Sequence, residues 1–114
     1  MAWIVLRNWH FHVYVVELDP AVRSERRVLS QNPKSDPTQP CVYVGETGTT
    51  PEKRFEQHKK GIKAGRKYVT RFGIRLMPEL YQHLNPMTEA AALEMETKLA
   101  MDLRQDGYTV TGGH

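Results

Sequence analysis

The stretch from Val42 to His58, VYVGETGTTPEKRFEQH, limits what this chain can become more than any other. Val42, Tyr43 and Val44 read as strand, and Gly45 and Gly48 break it. Thr49-Thr50-Pro51-Glu52 then reads as a helix start. Thr49 can cap the first free amides, and Glu52 sits three residues on, as a capping box requires. Pro51 suits the first turn, where its missing N–H would have had no partner. The helix carries Arg54, Phe55, His58 and Ile62. At about 100° per residue, Arg54 and His58 share one face, with Phe55 and Ile62 on the apolar side of His58. A guanidinium and an imidazole therefore point to where the helix meets the fold, near the Tyr43 hydroxyl. A surface Arg, a packed core His and a strand Tyr would give the same pattern.

Upstream, residues 3 to 18 read as an extended strand closed by Asp19-Pro20. From Trp9, alternation puts Trp9, Phe11, Val13 and Val15 on one side, and His10, His12 and Tyr14 on the other. Residues 19 to 40 hold four prolines and read as a long arm with little core material, apart from a ribbon around Val28-Leu29. An antiparallel hairpin of 11–18 with 41–46 is expected, with this arm as its connection. After the first helix, residues 66 to 72 read as a short helical or irregular piece and GIRLM (73–77) as a third strand. Pro78 to Leu84 reads as a helical turn stopped by Asn85-Pro86. The longest helix runs from a cap at Thr88 to about Gln105, and Gly107 ends it. Tyr108 to Val110 reads as a short extended tail.

On that last helix Ala92, Leu93, Leu99, Ala100 and Leu103 form an apolar face, and Glu96 falls inside it at about 40° from Ala92. Glu94 falls on the opposite side and reads as a solvated acid. A carboxylate on an apolar face is costly unless it is paired or binds a cation. A structural ion pair with Arg54 and a hard-cation site both answer that demand.

The chain of 114 residues suits one domain and one core. The apolar start lacks a cationic n-region and a cleavage site, so a cytoplasmic protein without a membrane partner is expected. Cys41 is the only cysteine, which excludes an internal disulfide. The net charge of +3 leans towards polyanions. Basic residues gather at Arg23, Arg26 and Arg27, and again through Lys59, Lys60, Lys63, Arg66, Lys67 and Arg71. A solvated face accounts for such clusters as well as a nucleic-acid site does.

Taken together, these pieces resemble the GIY-YIG endonuclease domain. His12-Val13-Tyr14 stands where that family has Gly-Ile-Tyr, and Tyr43-Val44-Gly45 where it has Tyr-Ile-Gly. Arg54 to His58 resembles its Arg-hydrophobic-x-x-His helix, and Ala92 to Leu99 its metal-binding Glu helix, in the register that selects Glu96. His12 replaces a Gly of the name motif, the link between the two Tyr motifs is longer than usual, and Thr109 stands where the family has Asn.

The resemblance implies an α+β fold, an α/β sandwich in which a small central three-stranded antiparallel sheet is flanked by helices. It implies a single domain over 1–114 with an inserted arm at about 19–40. It implies an endonuclease that hydrolyses phosphodiester bonds in nucleic acid, double-stranded DNA first. Glu96 would hold Mg²⁺ or Mn²⁺ and Arg54 would clamp the phosphate. Tyr14, favoured over Tyr43, would activate water, with Tyr43 positioning and His58 orienting a phenol or shuttling its proton. Lys59, Lys63, Arg66, Lys67 and Arg71 would hold flanking phosphates. Target choice would come from the arm, from a homodimer or from a protein partner. The alternative is an inactive nucleic-acid-binding or protein-interaction module of the same fold, which would be expected to lose Arg54 or Glu96 first.

Overall fold

Three valines and a tyrosine within His12–Leu18 make the first strand, β1, and nearly all of it is buried. Val13, Tyr14, Val15 and Val16 are each at most 1% exposed, so both faces of β1 are covered. It therefore lies inside the sheet and its neighbours are set around it. The structure, a computed structural model, describes residues 8–63 and 67–113. The part of the expected first strand before residue 8 lies outside the described residues.

β2 (Cys41–Thr47) runs antiparallel to β1 and aligns Tyr14 with Gly45 and Val16 with Tyr43. The expected hairpin is present. On the other side of β1 lies β3 (Gly73–Leu76), also antiparallel. The sheet has four strands in the order β3-β1-β2-β4, not three. The extra member is the expected tail: β4 (Thr109–Gly112) pairs parallel to β2, with Cys41 opposite Thr109 and Tyr43 opposite Thr111. A parallel neighbour needs a long crossover, and the last helix supplies it. Thr109, Val110 and Thr111 are all buried, which is why this short segment pairs and does not trail into solvent.

Residues 19–40 are not an extended ribbon. Pro20–Ser24 forms a 3-10 turn, and Arg26–Ser30 forms a helix, α1, where a ribbon was expected. Val22 and Val28 are fully buried against the core, worth about 1.5–3 kcal/mol each. Asn32, 3% exposed, closes the outer edge of β4. Its amide accepts from the Val110 N–H at 2.8 Å and donates to the Val110 carbonyl at 2.9 Å. Arg71 pairs with Glu25 at 2.7 Å and ties this segment to the residues that lead into β3.

The helix after β2, α2, spans Pro51–Lys59. Its cap is Thr50, one residue later than expected, and the Thr50 hydroxyl accepts from the Lys53 N–H at 3.2 Å. Pro51 takes the first helical position and is buried, which fixes the register that Thr49 would have shifted. A short α3 (Tyr68–Phe72) leads into β3, and 3-10 turns over Pro78–Leu80 and Gln82–Leu84 follow. The longest helix, α4, is Glu89–Gln105 with Thr88 as cap. Gly107, at φ 92, ends it in the left-handed region, as expected. Ala92, Glu96, Ala100 and Leu103 form its buried side, but Leu93 is 49% exposed and falls outside it. The face is narrower than the sequence pattern, since α4 meets the sheet along the single stripe of residues 92, 96, 100 and 103. Among the described residues no helix is long and apolar enough to cross a membrane.

Candidate active site

Tyr14 and Tyr43 come from adjacent strands. Their register makes them diagonal neighbours on one face, with ring centroids 6.1 Å apart. Gly45 makes this possible. A Cβ there would lie 2.6 Å from the Tyr14 hydroxyl oxygen and 2.9 Å from the Tyr43 ring. The motif glycine is thus the space into which the phenols lean.

α2 lays His58 over the pair. Its ring sits 5.2 Å from that of Tyr43, near edge-on, and 6.1 Å from that of Tyr14. The Tyr14 hydroxyl and His58 Nε2 share a hydrogen bond of 2.9 Å. His58 is 1% exposed, and its Nδ1 is buried with no hydrogen-bond partner. Burial, helped by the charge of Arg54, pushes the imidazole pKa down to about 4, so His58 is neutral at ordinary pH. Burial likewise pushes Tyr14 well above the ordinary tyrosine range; Tyr43 adds to this and Arg54 opposes it. Tyr43 is raised too, by burial first and by the Glu96 charge second, with Arg54 again opposing. These couplings bring Arg54 within electrostatic reach of both phenols and Glu96 within reach of Tyr43.

Arg54 is held in place by the loop that follows its helix. One Nη donates to the Ile62 carbonyl at 2.9 Å and to Gln57 Oε1 at 3.2 Å, and the other to the Lys63 carbonyl at 2.6 Å. Part of the guanidinium is turned towards Tyr14, whose hydroxyl it reaches. Glu96 is 5% exposed on the inner side of α4. The five residues singled out as catalytic, Tyr14, Tyr43, Arg54, His58 and Glu96, are thus gathered by β1, β2, α2 and α4.

The basic residues behave differently. The Lys59 ammonium donates to the Gly73 carbonyl at 2.9 Å, and Arg71 is engaged by Glu25 and lies over the Phe72 ring at 4.7 Å. Both are turned to the protein. Lys63 and Lys67 are exposed, with φ of 48° and 62°. Arg66 lies outside the described residues.

Sequence reading missed three supporting groups. Gln57 steadies Arg54. Gly45 makes room for both phenols. Asn85, read only as a helix stop, accepts from the Val13 N–H at 2.9 Å and donates to the Val13 carbonyl at 2.7 Å, next to Tyr14. Nothing local marks that contact, which spans 72 residues of chain.

The family model of the GIY-YIG catalytic domain matches residues 29–108. The chain belongs to the GIY-YIG family. This is a family of nucleases, so a nucleic-acid substrate and hydrolase chemistry come with membership, and its members typically use divalent metal ions. No curated protein and no solved structure matches the chain. The matched span begins after β1, so Tyr14 joins the GIY-YIG site through geometry, by its bond to His58 and its packing over Gly45.

The donor set fits a hydrated hard cation. Among the described residues no three His, Cys, Asp or Glu side chains gather to form an all-protein cage. Mg²⁺ does not need one, since it keeps most of its waters and takes one or two carboxylates together with substrate phosphate. Glu96, a buried carboxylate within electrostatic reach of Tyr43, supplies that kind of ligand.

Proposed function

We propose that this chain is a metal-dependent endonuclease that hydrolyses phosphodiester bonds in double-stranded DNA. The observation that carries the reading is the Tyr14–His58 hydrogen bond, buried beneath Tyr43 and facing the charges of Arg54 and Glu96. Glu96 would hold Mg²⁺ or Mn²⁺, which when bound neutralises the scissile phosphate and the departing oxygen.

The chain's own residues do the rest. Arg54, already steadied by the loop carbonyls, donates to a phosphate oxygen and stabilises charge as it builds. Tyr14 acts as general base: its own proton passes to His58 Nε2, and it takes a proton from water as the water oxygen bonds to phosphorus. The ester P–O bond breaks and the leaving oxygen is protonated by solvent. A buried phenol is a poor base on its own, so Tyr14 acts only once cations stand beside it. Neutral His58 offers Nε2 to the Tyr14 proton and fixes the direction of the hydroxyl. Tyr43, less buried than Tyr14, positions the attacking water. Exposed Lys63 and Lys67 supply flanking phosphate contacts.

The test is cleavage of supercoiled plasmid with Mg²⁺ or Mn²⁺ by the wild type beside Glu96→Ala and Arg54→Ala. The wild type is expected to nick or linearise it, and each variant to lose about 100-fold or more. Equal activity in all three preparations overturns the assignment.

A further inference from the structure

His12, the residue that replaces the first glycine of the name motif, lines an open cleft of about 450 Å³. It lies two residues before Tyr14 on the same strand face, roughly 7 Å away. The opposite wall is the start of α2 at Pro51, which shares a helix face with His58 roughly 10 Å further along. The cleft therefore adjoins the catalytic cluster, about one nucleotide from where a phosphate between Tyr14 and Arg54 would lie.

Its chemistry excludes another phosphate. Glu52 lines it, and no Lys or Arg does. Pro51, Pro78 and Pro86 give rigid apolar walls; of the polar lining residues, Thr50 is engaged by the Lys53 N–H and Asn85 by Val13, which leaves His12, Gln82 and Glu52. A few placed polar groups on apolar walls are what a small planar ligand needs. None of the three polar side chains is satisfied in that direction. His12 Nδ1 is bonded to the His10 carbonyl at 3.0 Å, and a carbonyl only accepts. A proton is therefore on Nδ1, and Nε2 has no hydrogen-bond partner among the described residues. Among the described residues the side chains of Gln82 and Glu52 have no hydrogen-bond partner. The cleft thus offers a carboxylate and an amide, the complement of an edge rich in N–H donors.

We infer that this cleft takes the unpaired nucleobase next to the scissile phosphate, and that it favours a base with an exocyclic amino group over thymine. Carboxylate and amide side chains match the amino edges of cytosine and adenine, and thymine carries no amino group. A base still stacked in the duplex cannot enter a cleft walled by three prolines, and unpairing it costs a few kcal/mol. The preferred substrate is therefore DNA splayed or branched beside the cut. The inference rests on the nuclease reading, and the experiment separates the two.

A forked duplex carries 2-aminopurine at one unpaired position near the junction, and binding is followed in EDTA by fluorescence and anisotropy. At one position the wild type should change the fluorescence. Gln82→Ala and His12→Ala should abolish that change and weaken fork binding about tenfold, while affinity for paired duplex stays the same. Gln82 is exposed on a 3-10 turn, so its truncation leaves the fold intact. With Mg²⁺, the wild type should cut forks bearing an amino base at that position about fivefold faster than forks bearing thymine, and Gln82→Ala should cut both alike. Wild-type fluorescence and fork affinity in both variants would overturn the cleft and leave the nuclease standing. A fluorescence change with no metal-dependent cleavage would overturn the nuclease and leave the cleft. No binding to either DNA would overturn both.

Discussion

Two asparagines do the same job at two places, and the contrast between them separates what holds this GIY-YIG domain together from what it uses. Asn32 and Asn85 each give a side-chain carbonyl and a side-chain NH₂ to both backbone groups of one strand residue, Val110 and Val13 respectively. Each stands in for a missing strand at an edge that would otherwise stay open. Asn32 does more. It also donates to the Val28 carbonyl at 2.7 Å, in the buried interior, and accepts from the half-buried Arg104 at 3.3 Å. Asn85 is only partly buried, and its side chain makes no further bond among the described residues. The β4 margin is saturated, whereas the β1 end is lean and lies beside Tyr14. His58 continues that contrast, since its Nδ1 is the one buried side-chain polar atom without a partner among the described residues.

The largest expected effect breaks the saturated pole. Asn32→Ala removes the partners of Val110 N–H and Val28 C=O, and one of the two donors to Val110 C=O, in a place water does not reach. It should cost about 3 kcal/mol of stability, read as a lower urea midpoint at unchanged slope. Cleavage per folded molecule should stay at the wild-type level. A large loss of activity in the protein that remains folded would show that the two poles are coupled.

The next effect belongs to the unsatisfied pole and appears only in acid. The His58 pKa is about 4 in the fold against 6.5 in its absence. Between these values the unfolded chain binds the proton and the folded chain does not, so stability falls as pH drops from 6.5 to 4. Above pH 6.5 both states are neutral and the contribution is flat. The full window is worth about 3 kcal/mol at most. His58→Gln should remove that part of the slope, as measured by urea denaturation at pH 7, 6, 5 and 4. An identical slope in the variant would mean that His58 is charged inside the fold.

Asn85→Ala should be milder in stability and sharper in function. Water can reach the Val13 groups, so the cost should be about 1 kcal/mol. The strand that carries Tyr14 loses its tether, and the single-turnover cleavage rate should fall about tenfold while DNA affinity holds. If affinity falls and the rate does not, Asn85 serves the cleft beside His12 and does not aim the phenol.

Much of this was readable from local spacing. The cap at Thr88, the glycine stop at Gly107 and the inward register of Glu96 all follow from residues within one helix. The β1–β2 hairpin follows from two runs of β-branched residues. What escaped depends on distant partners. β4 is too short to announce itself, and becomes a strand because β2 presents a free edge and the core covers its threonines. The 19–40 segment has the composition of an arm, yet Val22 and Val28 are enough to seat it. Leu93 looked buried because a helical wheel gives direction but not the width of the neighbour it meets. Of the candidate phosphate contacts, Lys59 and Arg71 turned out to be engaged by the protein, since composition shows charge but not its partner.

The smallest expected effect sharpens the comparison most. Thr109, where the family carries Asn, belongs to the saturated pole. It is fully buried, lies opposite Cys41, and its hydroxyl accepts from Arg23 Nε at 3.2 Å. Arg23 is held in turn by the Gln39 carbonyl at 2.8 Å. None of these groups touches a phenol or His58. Thr109→Asn should therefore leave the cleavage rate of folded protein within about twofold, because no group in the catalytic cluster would feel the change. The larger side chain must fit a filled site, so a stability loss of about 1–2 kcal/mol is expected, seen as a lower melting temperature. A tenfold gain in rate would place the amide within reach of the reacting atoms. The division between a saturated margin and a lean catalytic end would then fail at β4.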